Sequence, residues 1–198
     1  MGAPVFAWIA ELDARLFTLI NVDLHHPVLD VVMRAITTQQ NWYPVLGGLA
    51  AALLIWGGRR GRMAVAMLVI AVAITDQISC SVLKPLVGRV RPPGALAPEN
   101  VHLIVGATAS WSFPSAHAAN SFAMATVVSW RFPRFAPVAF LIAAAVAYSR
   151  VYVGVHYPLD AIGGAILGLL TGRLAIWIVV ALRRRWDAAR ARGAVSAT

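Results

Sequence analysis

The chain has 198 residues, 60% of them hydrophobic, with a mean hydropathy of +0.72 and a formal net charge of +9. That is one domain's length of chain and too apolar for a soluble domain, so an integral membrane protein is expected. The basic excess sits in short blocks beside apolar runs, as topology signals and headgroup contacts do, which argues against a nucleic-acid partner; the single cysteine, Cys80, excludes an intrachain disulfide and a cysteine-built metal site.

The first forty residues mix apolar stretches with charge. Residues 6–20 carry Glu11, Asp13 and Arg15, and residues 28–36 carry Asp30 and Arg34. A charge at the centre of a span costs about 2.5–3.5 kcal/mol on insertion scales. Residues 1–41 are therefore expected to form amphipathic interfacial helices, with a sixth span built from one of these segments as the alternative. No cleavage pattern marks the N-terminus as a signal peptide.

Five apolar runs follow, at residues 42–56, 63–83, 115–130, 135–148 and 159–182. A spanning helix wants about 20 apolar residues. The second and fifth meet that alone; the others need flanking residues or burial in a bundle. The expected fold is all-α: a polytopic transmembrane helical bundle of five to six spans, with its core over residues 42–182 and a frayed basic tail over 183–198. If all five runs cross, GGRRGR (57–62), RFPR (131–134) and RRRWDAARAR (183–192) fall on one side, and the positive-inside rule makes that side cytoplasmic. The other side receives residues 84–114 and 149–158. Lys84, Arg89, Arg91 and Arg150 stand there against the rule, so something other than topology must account for them.

Three polar clusters lie on that side. In KPLVGRVRP, Lys84 and Arg91 are seven residues apart around helix-ending Pro and Gly residues, a candidate anion clamp. In SFPSAH, Ser115 is placed to N-cap an apolar helix with His117 in its first turn, where backbone N–H groups face an anion. In SRVYVGVHYPLD, His156 and Asp160 are four apart, so the carboxylate can hold the imidazole in one tautomer with its other nitrogen free. Arg150 just upstream offers a planar fork for two phosphate oxygens. Three cations, a helix N-terminus and two histidines describe a phosphoryl site that needs no metal and no cofactor.

K-x6-R-P (Lys84, Arg91, Pro92), P-S-x-H (Pro114, Ser115, His117) and S-R-x5-H-x3-D (Ser149, Arg150, His156, Asp160) together resemble the three-part signature of the type-2 phosphatidic acid phosphatase superfamily, over residues 84–160. Ala116 stands where that family commonly has glycine; a helical backbone there would accept it. The resemblance implies that His156 attacks phosphorus to form a phosphohistidine while Asp160 orients it. It implies that His117 protonates the leaving oxygen and then activates water, and that Lys84, Arg91, Arg150, Ser115 and the backbone at Ala116 bind the phosphate. Asp76, mid-span, is either a supporting partner of the basic cluster or a structural hydrogen bond to another span; Arg89 supports the site or lines its entrance. Tyr152 and Tyr157 are expected in an interfacial belt, His102 in solvent, and His25 and His26 without partners.

The implied activity is that of a lipid phosphatase in the bacterial inner membrane, working at its outer face on a lipid phosphate drawn from the bilayer. Undecaprenyl diphosphate is the first choice; phosphatidylglycerophosphate, phosphatidic acid and lipid A phosphate stay open. A lipid phosphotransferase using the same intermediate and a non-catalytic transporter or scaffold are the alternatives. Oligomeric state is not legible in the sequence.

Overall fold

The structure, a computed structural model, describes residues 3–106 and 109–195. Among the described residues it is all-helical. Helix α1 (Ala3–Thr18) runs into a π-turn (Leu19–Asp23) and is followed by α2 (Pro27–Thr37). His26 caps α2 by accepting from Val28 N at 3.2 Å, and Pro27 supplies the preset φ of a first helical position. The two segments meet at 115°.

Helices α3 (Tyr43–Ile55) and α4 (Gly58–Asp76) form a tight hairpin. A Cβ on Gly57 or Gly61 would come within 2.4 or 2.2 Å of the Leu53 carbonyl oxygen, so the turn requires residues without one. Helix α4 continues through a π-helical stretch (Gln77–Leu83) into the short α5 (Lys84–Val87), which Gly88 ends in the left-handed conformation at φ 60°. After α6 (Pro92–Ala95) and an irregular loop come α7 (Ala116–Arg131), α8 (Ala136–Tyr152) and the 38-residue α9 (Pro158–Val195).

Helix α7 is the hub, packed against α4, α8 and α9. Its Ala118, Ala119 and Ala123 are fully buried, and α9 faces them with Gly164, Gly168 and Gly172. Small residues let two backbones approach closely, which is how helices associate where lipid removes the hydrophobic drive. Met67 and Ala71 of α4, Ala123 and Val127 of α7 and Ala175 of α9 make the apolar core. Across α4 and α9, Thr75 Oγ1 and Thr171 Oγ1 are 2.6 Å apart. Large apolar side chains such as Val69, Leu141, Ile166, Leu170 and Trp177 point outward instead, as a lipid-facing surface requires.

Three helical stretches are long and apolar enough to cross a membrane, Gly58–Ala95, Pro133–Tyr152 and Pro158–Arg190, and a fourth if the bent pair of α1 and α2 counts as one. Helices α3 and α7, at 13 and 16 residues, fall short of that length, so the sequence expectation of five to six spans exceeds what helix length establishes. The three basic segments do meet at one end of the bundle: Arg59 pairs with Asp187 at 3.2 Å, and Arg131 Nε donates to the Arg60 carbonyl at 3.2 Å. The tail is not frayed over its described part, because α9 stays helical to Val195 with Arg183 and Asp187 bridged one turn apart.

The N-terminal helices depart furthest from expectation. They do not only lie along an interface: Asp13 is 2% exposed and Asn21 fully buried, and both reach into the loops at the end opposite the basic segments. Asn21 donates to the carbonyls of His102 (2.8 Å) and Tyr152 (2.7 Å) and accepts from His102 N (2.8 Å). Tyr152 and Tyr157 are core residues rather than belt residues, at 0% and 7% exposure. Tyr152 hydroxyl bonds Asp30 Oδ1 at 2.8 Å, and the Tyr157 ring packs on Phe17. His102 is held by Asp30 at 3.0 Å and stacks near His25, so these histidines do have partners.

Candidate active site

The three clusters separated by up to seventy residues converge at the end of the bundle opposite the basic segments. Lys84, Arg91, Ser110, Ala116, His117, Arg150 and His156 line one cavity of about 280 Å³, with Cys80 at its edge. Each side chain is placed by a local break in a helix. Lys84 follows the π-helical stretch. Arg91, extended at φ −74° and ψ 157°, precedes the Pro92-Pro93 pair that starts α6. Ser115 and Ala116 open α7, and Arg150 lies in the last turn of α8.

His156 sits in the short connection between α8 and α9, which is wound around one carbonyl: Val155 N and His156 N both approach Arg150 O, at 3.3 and 3.2 Å. Gly154 makes the turn at φ 83°, where a Cβ would also press on the His102 carbonyl. The imidazole is 1% exposed. Its Nδ1 lies 3.5 Å from Asp160 Oδ2, and its Nε2 lies 2.9 Å from Arg91 Nη1. A guanidinium only donates, so Nε2 carries the lone pair and Nδ1 the proton that faces Asp160. Burial, reinforced by the neighbouring guanidiniums of Arg91 and Arg150 against the pull of Asp160, pushes the His156 pKa down to about 3. The ring is neutral, and its Nε2 lone pair accepts from Arg91, with both side chains lining the cavity.

Asp160 is fully buried and fully occupied. It accepts from Ser112 Oγ (2.5 Å), Tyr157 N (2.9 Å) and Arg89 Nη1 (2.8 Å), beside its contact with His156. Arg89 reaches on with Nη2 to Asp13 at 2.5 Å, and Asp13 accepts from Leu159 N at 2.8 Å. Arg89 is therefore a buttress of the carboxylate and not an entrance residue. Its plane also lies over the Tyr157 ring at 4.1 Å.

The cations are held by oxygens of the loop before α7, of the connection between α8 and α9, and of helix α2. Lys84 Nζ donates to Trp111 O at 2.6 Å; Arg91 donates to Ser110 O at 2.7 Å and Val155 O at 2.8 Å; Arg150 Nη1 donates to Thr37 Oγ1 at 2.5 Å. Four buried side-chain polar groups have no hydrogen-bond partner among the described residues: Ser79 Oγ, Ser115 Oγ, Asn120 Oδ1 and Arg150 Nε. Such groups are rare in a packed interior; of them Arg150 lines the cavity, and Ser115 immediately precedes Ala116 and His117, which also line it. Ser115 occupies the N-cap position of α7 without making a side-chain cap bond, so its hydroxyl is not spent on the helix. Ala116 is an ordinary helical residue, and no non-glycine residue among those described has positive φ, so its methyl group introduces no strain.

For Asp76, the second of the two expected readings, a hydrogen bond to another helix, is the one observed. It does not touch the basic cluster; its carboxylate accepts from Asn120 Nδ2 of α7 at 2.9 Å. Sequence reasoning missed Asp13, Thr37, Ser110 and Ser112. The only signal for Asp13 was a carboxylate set in an otherwise apolar helix, and the two loop serines had none. No group of three or more His, Cys, Asp or Glu among the described residues is arranged to hold a metal ion.

The PAP2 superfamily model matches residues 63–184. The lipid A 4'-phosphatase of Bacteroides thetaiotaomicron is 34% identical over 191 residues, covering 90% of this chain and 81% of its own. The undecaprenyl-diphosphatase of Sulfolobus acidocaldarius is 32% identical, covering 84% and 78%. Among solved structures, that of Aquifex aeolicus LpxE superposes with a TM-score of 0.68 at 30% identity, over 82% of this chain and 93% of that one.

Proposed function

The chain belongs to the PAP2 superfamily, and we propose that this lipid phosphatase removes a terminal phosphate through a covalent intermediate on His156. The observation that carries the proposal is one cavity lined by His156, whose Nε2 lone pair is held by Arg91 Nη1, and by Arg150, whose Nε has no hydrogen-bond partner among the described residues. In the first step Nε2 attacks phosphorus, the bond from phosphorus to the lipid oxygen breaks, and His117 gives that oxygen a proton. In the second, His117 takes a proton from water, water oxygen bonds phosphorus, and the phosphorus–nitrogen bond breaks to free phosphate and His156. Lys84, Arg91 and Arg150 offset the charge on the equatorial oxygens, which is most of what phosphoryl transfer asks of a protein. Asp160 steadies the positive charge that grows on the ring.

The reading extends to placement. With α3, α4, α7, α8 and α9 as five crossings, the basic end is cytoplasmic and the cavity opens at the extracytoplasmic face of the inner membrane. Lys84, Arg89, Arg91 and Arg150 then contradict no rule, since each is fixed by a site contact. For the substrate, the relative with the higher identity and coverage is a lipid A 4'-phosphatase, which favours a phosphorylated glycolipid; undecaprenyl diphosphate is the second reading, favoured by the Sulfolobus relative.

The test is phosphate release by purified protein from a panel of lipid mono- and diphosphates, with rapid acid-free quenching to trap phosphohistidine. His156→Ala is expected to abolish both release and the trapped phosphoprotein. Turnover by His156→Ala at the wild-type rate would end the proposal. Activity is expected to survive excess EDTA and to be blocked by vanadate, a mimic of five-coordinate phosphorus.

A further inference from the structure

Asp76 and Asn120 form a polar pair between α4 and α7, and Asn120 borders the apolar cavity that shares His117 with the site. Asp76 is exposed although it lies within the apolar stretch Gly58–Ala95, where a carboxylate facing lipid is costly and asks for a function. It sits one turn before Cys80 at the cavity edge, and its partner Asn120 lies one turn after His117. At about 1.5 Å per residue, Asn120 is roughly 5 Å deeper in the bundle than His117. Asn120 also borders an adjoining apolar cavity walled by Trp42, Leu46, Met124 and Val146. A lipid that has its phosphate on His156 and its tail in this adjoining cavity passes Asn120, to which Asp76 is hydrogen-bonded.

The pair has a definite chemistry. Asn120 Nδ2 faces the carboxylate, so its Oδ1 points away and has no partner; Asp76 Oδ2 likewise accepts no bond among the described residues. Both free atoms are acceptors. We propose that Asp76 and Asn120 form a selectivity pair that favours lipid phosphomonoesters with hydroxyl or amide donors beside the phosphoester and disfavours diphosphates. In a diphosphate the inner phosphate, which is negatively charged and has no donor, would arrive beside a carboxylate; an acylated amino sugar would bring O–H and N–H groups to the same place.

This rests on the phosphatase reading, and the experiment separates the two. Initial kcat/KM is measured on an N-acylglucosamine lipid phosphate, on a diacylglycerol phosphate that lacks such donors, and on a polyprenyl diphosphate. Wild type should favour the first. Asp76→Asn and Asn120→Ala should each lower the glycolipid-to-diacylglycerol ratio by about 10- to 100-fold, Asp76→Asn should also raise turnover of the diphosphate, and Asp76→Glu should keep the wild-type order. Ratios unchanged in both Asp76→Asn and Asn120→Ala, with all substrates scaled alike, mean a merely structural hydrogen bond and overturn the proposal. No phosphate release from any of the three by wild type removes the phosphatase reading itself, and this inference with it.

Discussion

Arg91 donates from Nη1 to His156 Nε2 at 2.9 Å, so the nitrogen proposed to attack phosphorus is bonded to the residue proposed to hold the phosphate. The contact fixes the tautomer and aims the lone pair, while Ser110 and Val155 carbonyls hold the guanidinium in place. In the proposed reaction an arriving phosphate takes over the donation, and the fork passes from nucleophile to substrate.

Arg91→Lys should therefore fail although it keeps the charge. A lysine ammonium lacks the fixed fork, so it cannot hold carbonyl, phosphate and imidazole at once. A loss of about 10²–10³ in kcat is expected, the scale of removing one oriented donor from a phosphoryl or oxyanion site. Steady-state phosphate release reads it. An Arg91→Lys enzyme whose defect is confined to KM would show that Arg91 only gathers substrate.

The state of His156 gives a pH prediction. Its pKa is depressed toward about 3, so the neutral, nucleophilic ring persists as pH falls below the usual histidine range and is lost only when pH nears that depressed value. In 15N-histidine NMR, the His156 ring should stay in the single Nδ1-protonated form between about pH 5 and 8, where an unperturbed histidine titrates. Replacing Arg150 by Met removes a guanidinium that opposes protonation and should move the titration upward. A wild-type midpoint near 6.5 would contradict the buried geometry.

The chain Asp13–Arg89–Asp160 ties the N-terminal helix to the carboxylate beside His156. Asp13→Ala leaves Arg89 with one partner and Leu159 N with none, and breaking such a buried pair costs about 3–5 kcal/mol. Melting in detergent should show that loss. Activity of the folded fraction should fall less than in Asp160→Asn, where orientation of the imidazole is lost directly and about 10²–10⁴ in rate is at stake. Equal stability of Asp13→Ala and wild type would make the N-terminal helices bystanders.

The part of this site legible in the sequence was the part written at short range. His156 and Asp160, four apart, and Lys84 and Arg91, seven apart, announce themselves by spacing, and all of the phosphate ligands named on sequence line one cavity except Ser115, whose free hydroxyl belongs beside them. What was not legible is what arrives from a distance. Asp13 reaches Arg89 across 76 positions and Thr37 reaches Arg150 across 113, pairings that no local pattern encodes. The same reason misplaced the tyrosines. Tyr152 looks like a residue at headgroup depth until α2 folds over it and supplies Asp30. Helix length alone supports three to four spans, because short apolar runs such as residues 42–56 satisfy composition without satisfying length, and five crossings belong to the proposed placement.

Packing of α7 on α9 sets the last prediction. A Cβ on Gly168 would lie 2.2 Å from Ala119 O and 2.8 Å from Ala123 N, and both are backbone atoms of a helix that cannot give way locally. Gly168→Ala must instead push α7 off α9. That overpacking costs about 1–3 kcal/mol, and it reaches the chemistry, because α7 begins at Ser115, whose N–H bonds the Asp160 carbonyl at 2.9 Å, and carries His117 in its first turn. The matched control is Gly47 in α3, where a Cβ meets nothing within 4 Å. Gly47→Ala should be neutral or add up to about 1 kcal/mol through helix propensity. Melting and phosphate release in the same detergent compare the two. Gly168→Ala should lose both stability and turnover while Gly47→Ala keeps both; a Gly168→Ala protein that melts with wild type would show that the two helices do not pack backbone to backbone.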